Sequence, residues 1–290
     1  MNKEFEFLNI INKTLDDNSY LGNDCAYLDE YKLAISCDIL IEDVHFKRRY
    51  MRASEIAKKA ILSNISDILA SGAKLKYLTI ALSGQLDNDF IQEFYKSANE
   101  LSKIYDFKIV SGDLTKSDKI VVAINVFGDY KNRNISKRNN AKEGYITAVI
   151  GEFGSSAQGL FDLEKGLMDN YFIDYHKNPK LYPEFSSLIS KNAKYPYAMM
   201  DSSDGLVDCL SQISFKSGVK IEVKYDKIPK KTQNKDFVLY GGEDYSLVVC
   251  LDERDFIKFP FLIKIGECNK GYGVYIDNKK TDYKGYEHFE

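Results

Sequence analysis

The chain has 290 residues, 44% hydrophobic and 29% charged, with 40 basic against 43 acidic side chains and a net charge of -3. That length is natural for two domains with substantial cores, and the near-neutral balance gives no reason to expect nucleic acid or a membrane surface as partner. No apolar stretch approaches the roughly 20 residues needed to cross a bilayer.

Five cysteines, Cys25, Cys37, Cys209, Cys250 and Cys268, are odd in number, widely spaced and free of any C-x-x-C pair. They argue against a disulfide framework or structural zinc and for reduced thiols in a cytosol. The opening residues Met1-Asn2-Lys3-Glu4-Phe5-Glu6 carry acids where a signal peptide needs a basic and then an apolar run, so a cytoplasmic protein is expected.

Phe5, Leu8, Ile10 and Ile11 fit a short amphipathic helix, followed by a turn-rich stretch to Asn23 and Asp24. Cys25 to Leu28 and Leu33 to Cys37 read as paired strands around the Asp29-Glu30 turn. The second ends in Ser36-Cys37-Asp38 and runs on through Glu42, Asp43 and His45, one of three histidines. A carboxylate at the end of a buried strand is held by the sheet while its oxygens face a crevice, which suits a hard cation such as Mg2+. Ile56, Ala57, Ala60, Ile61, Ile65, Ile68 and Leu69 recur at helical spacing between a possible cap at Ser54 and a stop at Gly72. Asn64 and Asp67 share one face of that helix, where it meets the sheet.

Leu75 to Leu82 is a predicted strand and Asp87 to Tyr105 a helix. Phe107 to Val110 is a strand that runs straight into Ser111-Gly112-Asp113-Leu114-Thr115, with Asp113 at a strand end, and Ile120 to Phe127 is another strand. The polar segment from Tyr130 to Glu143 is the candidate boundary, dividing the chain into 1–135 and 136–290. Beyond it, Tyr145 to Ile150, Tyr197 to Met200, Ile221 to Val223, Tyr245 to Cys250, Phe261 to Ile265 and Val274 to Ile276 read as strands, with helices after Gly154, after Pro183 and after Gly205. The basic runs Lys47-Arg48-Arg49 and Lys131 to Arg138 are short and read as solvated faces.

Each acidic motif alone is an ordinary turn former or helix cap, and Ser203 or Asp204 is expected to cap the helix after Gly205. Asp24, Asp38, Asp67, Asp113 and the pair Asp201/Asp204 together are harder to dismiss, because clustered carboxylates repel unless cations neutralise them. If they converge, the folded protein needs several divalent ions, and Mg2+ on carboxylates is the usual way to hold the phosphates of ATP. Gly112, Gly154, Gly205 and Gly241-Gly242 would let backbone approach a bulky anion, and the double glycine before Glu243 and Asp244 has no evident packing return. No P-loop, dinucleotide fingerprint, kinase H-R-D or G-x-S-x-G is present. Cys37 beside Asp38 reads as a small buried residue, since its thiolate would be disfavoured by the neighbouring charge.

Taken in order, Gly22-Asn23-Asp24, Ser36-Cys37-Asp38, Glu42 to Phe46, Asn64 to Ala73, Gly112-Asp113, Asp201 to Gly205, Gly241 to Leu247 and Gly285 to Phe289 resemble the thiamine-monophosphate kinase family of the aminoimidazole ribonucleotide synthetase-like superfamily. The resemblance implies a two-domain α/β (α+β) fold, an N-terminal mixed sheet with helices followed by a C-terminal α/β domain, and a homodimer formed through the first. It implies transfer of the ATP γ-phosphate to thiamine phosphate. Asp24, Ser36, Cys37, Asp38, Asp67, Asp113, Asp201 and Asp204 match metal positions. Gly112, Asp113, Arg138 and Ser203 match ATP contacts, and His45, Glu243 and Tyr286 match the thiamine-phosphate side. Arg138 thereby moves from loop charge to phosphate clamp. Asn23 stands in place of a family aspartate, Ser111 in place of a glycine and Cys37 in place of a threonine, which leaves the Cys37 carbonyl as the better metal contact. Another ATP-using enzyme of the superfamily, such as selenophosphate synthetase or the hydrogenase maturation dehydratase, is disfavoured by the lack of a cysteine before Cys25 or at the end. A nucleotide-binding protein without turnover is the reading of a different class.

Overall fold

The computed structural model describes residues 3–281. Helix α1 (Lys3–Thr14) leads to a five-stranded sheet of β1 (Ala26–Leu28), β2 (Leu33–Ile41), β3 (Lys74–Ser83), β4 (Lys108–Thr115) and β5 (Val121–Asp129), ordered β1-β2-β5-β3-β4. The antiparallel register of β2 on β5 sets Asp38 against Ile124, and β5 on β3 sets Ile124 against Ile80. Paired residues share a face, so Asp38 projects with the buried Ile124 and Ile80 towards the helices. Cys37 projects to the other side.

Helix α2 (Ala53–Ser71) covers the inner face of this sheet, and 15 of its 19 residues are buried. A helix enclosed on nearly all sides needs a second layer beyond the first sheet. That layer comes from the second half of the chain, for Ser186 Oγ donates to Leu69 O at 2.6 Å and Ala70 joins the core of the second sheet. Gly72 ends the helix at φ 81°, where a Cβ would also meet the Tyr197 hydroxyl at 2.6 Å. The start is Arg52 rather than Ser54: Glu55 accepts from Arg52 N, while Ser54 Oγ donates to Glu93 of α3 (Asn88–Ile104).

After the connector through residues 130–145, a seven-stranded sheet follows. Its strands are β6 (Ile146–Ile150), β7 (Ala198–Asp201), β8 (Lys220–Val223), β9 (Leu247–Leu251), β10 (Ile263–Asn269), β11 (Gly273–Ile276) and β12 (Lys279–Lys280), ordered β12-β11-β8-β10-β6-β9-β7. Every residue of β6 and β9 is buried, as expected of central strands covered on both faces. Helices α4 (Ser155–Glu164), α5 (Tyr171–Lys177), α6 (Pro183–Asn192), α7 (Leu206–Ser217), α8 (Lys235–Tyr240) and the short α9 (Glu253–Phe256) pack in this half. Leu163, Ile173, Leu181 and Tyr245 pack into the core of the first half.

Four expectations need correction. Asp38 lies within β2, which continues to Ile41, and not at its end. Asp113 is not at the end of its strand either: pairing with β3 keeps Ser111 to Thr115 extended, so β4 runs on to Thr115. Cys37 is exposed, because strand alternation turns it away from the helices. Ser203 and Asp204 do not cap α7, whose N-cap is Gly205. Among the described residues no helix is long and apolar enough to cross a membrane.

Candidate active site

Three acids from three distant parts of the chain meet beside α2. One carboxylate oxygen each from Asp24, Asp67 and Asp201 lies within 4.8 Å of the others. Asp24 comes from the turn before β1, Asp67 from α2 and Asp201 from the end of β7. Each is held by a specific donor. Ser36 Oγ on β2 donates to Asp67 Oδ2, Ser66 Oγ donates to Asp201 Oδ2 at 2.6 Å, and Arg138 pairs with Asp24 at 2.9 Å. Asp38 stands next to them, with its backbone N–H donating to Asn64 Oδ1 at 3.0 Å.

The electrostatics are those of crowded, buried acids. Burial, then Asp38, Asp201 and Asp24, holds the Asp67 carboxyl well above the usual range. Burial, then Asp24, pushes Asp201 up to about 7 and raises Asp38. Burial works against the Arg138 charge, but Asp24 more than restores it, and its buried Nε has no hydrogen-bond partner among the described residues. Three hard oxygen donors at this spacing are the donor set Mg2+ takes. Two thiols close the floor: Cys25 Sγ donates to Asp67 O at 3.5 Å and Cys209 Sγ to Asp201 O at 3.1 Å, and burial keeps both protonated.

A second group lies beside the first. Gly242 lets the 241–245 loop lie against the 201–205 loop, since a Cβ there would meet Ser203 O at 2.4 Å, and Gly241 lets the chain leave α8 closely, since a Cβ there would meet Phe237 O at 2.4 Å. The double glycine therefore has a packing reason that sequence reading missed. So do Gly154, at φ 86° with a Cβ that would meet Val238 N at 2.8 Å, and Gly112, whose Cβ would meet Ile80 O at 2.2 Å. Glu243, at φ 63°, donates its backbone N–H to Ser203 O at 2.7 Å and places its carboxylate against Lys59 at 2.9 Å. His45 lies near enough to stabilise the Glu243 charge and is oriented by the Ile41 N–H, which donates to its Nδ1 at 3.0 Å. The buried Tyr245 phenol feels Glu243, Asp38, Asp201 and Asp204, and so links the two groups.

The structure thus gathers Asp24, Ser36, Asp38, Asp67, Asp201, Asp204, Arg138, His45 and Glu243, with Ser203 exposed on the adjoining loop. Gly112 and Asp113 stand apart. They lie on the edge strand β4, with β5 and β3 between it and β2, and Asp113 pairs with Ala81 on the uncovered face. The Cys37 side chain is exposed on the other side of the sheet, away from the cluster. Tyr286 lies outside the described residues. Sequence reading missed Ser66, Lys59, His176 and Tyr245. A lysine and a serine within the buried stretch of α2 were the available signals.

The family model for AIR synthase related protein, N-terminal domain, matches residues 22–129. The thiamine-monophosphate kinase of Aquifex aeolicus is 31% identical over 99% of this chain and 98% of its own length. That of Bacillus subtilis is 33% identical over 84% of this chain and 82% of its own. A solved structure of AaThiL complexed with AMPPCP and TMP superposes with a TM-score of 0.90 at 30% identity, covering 99% of this chain and 97% of that one.

Proposed function

The chain belongs to the thiamine-monophosphate kinase family, and from that membership and its carboxylate cluster we infer that it transfers the γ-phosphate of ATP to thiamine phosphate, giving thiamine diphosphate. It is an ATP-dependent kinase of thiamine diphosphate biosynthesis whose acceptor is itself a phosphate. The observation that carries the reading is the meeting of Asp24, Asp67 and Asp201 at the joint of the two sheets, in a chain aligned end to end with such kinases.

Several Mg2+ ions are the counter-ions this cluster calls for, held by Asp24, Asp38, Asp67 and Asp201 with Asp204 at the rim, Ser36 orienting Asp67 and the Cys37 carbonyl beside them. Bound there, they would neutralise the phosphate oxygens and the charge that develops during transfer. Arg138 and Ser203, with Gly112 and Asp113, contact ATP. The chain supplies no general base and needs none, because a phosphate monoester with a second pKa near about 6 is already ionised at neutral pH. Its task is alignment and charge neutralisation, the established logic of phosphoryl transfer. His45, Glu243 and Tyr286 serve the acceptor side, where a carboxylate and an aromatic ring suit the cationic thiazolium.

The working unit is a homodimer formed through residues 1–135, with 136–290 completing the ATP and substrate site. Two features support it. The outer face of the first sheet exposes Cys37, Ile39 and Tyr77. The outer edge of β2 from Ser36 to Ile41 has no strand partner among the described residues, since β1 pairs only with Leu33 to Ile35. The edge strand β4 of a second copy is suited to bring its Gly112 and Asp113 to that edge. The five free cysteines agree with a cytoplasmic setting.

The test is product analysis with purified protein, ATP, Mg2+ and thiamine phosphate. Thiamine diphosphate and ADP in equal amounts are expected, and AMP in place of ADP would overturn the reading.

A further inference from the structure

Lys59 sits on α2 with its side chain fully buried, and its ammonium is engaged by two groups from the second half of the chain. Its Nζ donates to Glu243 Oε2 at 2.9 Å and lies 3.2 Å from His176 Nε2. An ammonium can only donate, so His176 Nε2 accepts and the ring proton sits on Nδ1, where Ser156 Oγ is 2.9 Å away. Ser156 is fixed in turn, its N–H donating to Asp244 Oδ1 at 2.8 Å. The result is a rigid chain from α4 through α5 and α2 to the Gly241-Gly242-Glu243 loop.

Burying a lysine costs several kcal/mol unless its partners repay it, so a buried ammonium holding one specific carboxylate is a costly feature to keep. Within this chain Glu243 is the member that faces outward: its side chain is 26% exposed, against 0% for Lys59 and 1% for His176. Lys59 and His176 both approach Oε2. That oxygen is anchored on the buried side, while the partly exposed carboxylate keeps a side turned outward.

We propose that Lys59 is a positioning residue for the acceptor site, anchoring Glu243 through Oε2 so that Oε1 addresses the cationic ring of the acceptor. This rests on the assignment of Glu243 to the acceptor side. Lys59 itself touches neither substrate.

The experiment compares Lys59→Met, Glu243→Gln and the double variant in steady-state kinetics, with thermal melting as the check on folding. In Glu243→Gln and in Lys59→Met alike, KM for thiamine phosphate rises about tenfold or more while KM for ATP and kcat stay within about twofold. The double variant, which leaves no unpaired buried charge, matches Glu243→Gln in KM and serves if Lys59→Met alone does not fold. An unchanged KM in Glu243→Gln would overturn the assignment of Glu243 and this proposal with it. A raised KM in Glu243→Gln with an unchanged KM in folded Lys59→Met, or a further tenfold rise in the double variant, would overturn the role of Lys59 alone.

Discussion

Ser66 Oγ donates to Asp201 Oδ2 across 2.6 Å, joining the helix that covers the first sheet to the strand at the rim of the second. The next residue on that helix, Asp67, accepts from Ser36 on β2. Successive positions on a helix are turned about 100° apart, so a helix lying between two sheets can serve both with neighbouring side chains. The cluster is therefore tied to the packing of α2: what buries the helix also sets the acids side by side.

Asp67→Asn removes an anionic donor from the cluster and a charge that the fold resists. Turnover falls on the order of 1000-fold, the several kcal/mol a lost metal contact costs. The metal-free variant nonetheless melts above metal-free wild type, because the wild-type carboxyl is raised above its unfolded value and its charge is borne at a cost. Parallel melting and turnover measurements check both outcomes.

Asp201, pushed up to about 7 from 3.8, gives the cluster a pH dependence of known sign. Its stabilising contribution is fully present below the unfolded value and is lost as pH rises through about 7. Added Mg2+ therefore raises the melting temperature more at pH 8 than at pH 5, since it binds the ionised form. Melting curves at both pH values, with and without the ion, measure this.

His176 works in the opposite direction. Burial, then Lys59, depresses it from 6.5 to about 3, so it stays neutral in the fold. Below pH 6.5 the unfolded chain takes up a proton the folded chain refuses, and stability is lost as pH falls towards 3. The stability difference between wild type and His176→Gln should shrink across that window in denaturant titrations and stay flat above it.

Gly242→Ala tests the contact between the two loops. Its φ is not in the left-handed region, so the cost is steric: the new methyl meets Ser203 O at 2.4 Å. Separation of the 201–205 and 241–245 loops should lower kcat/KM by about tenfold or more, whereas the overall melting temperature shifts by only a few degrees.

How much of this is legible in the sequence depends on how local the cause is. The stripe from Ile56 to Leu69 and the stop at Gly72 give α2 directly, and Asp87 caps α3 as its position suggests, accepting from Phe90 N at 2.8 Å. The strand read over Phe107 to Val110 stops short of Ser111 to Thr115 because Ser, Gly and Asp are turn formers, and only parallel pairing with a strand some thirty residues earlier extends it. The purpose of Gly242 lies in a carbonyl about forty residues away. Lys59 looks like solvent-facing charge until α5 and the Glu243 loop are packed on it. Residue types carried the acids of the site, but their partners are set by tertiary contacts that no local pattern encodes.

The proposed homodimer, with Asp113 of one copy serving the site of the other, predicts complementation. Asp67→Asn and Asp113→Asn are each inactive alone, and equal mixtures after subunit exchange recover about one quarter of wild-type activity, because half the dimers are mixed and each carries one intact site. No recovery despite confirmed exchange would put Asp113 in the same chain's site.

The most direct measurement is the number of divalent ions bound per chain in the presence of a non-hydrolysable ATP analogue, with Mn2+ as the spectroscopic stand-in for Mg2+. The account predicts more than one ion per wild-type chain and the loss of at least one in Asp201→Asn. An unchanged count in that variant would mean that Asp24, Asp67 and Asp201 meet without holding metal.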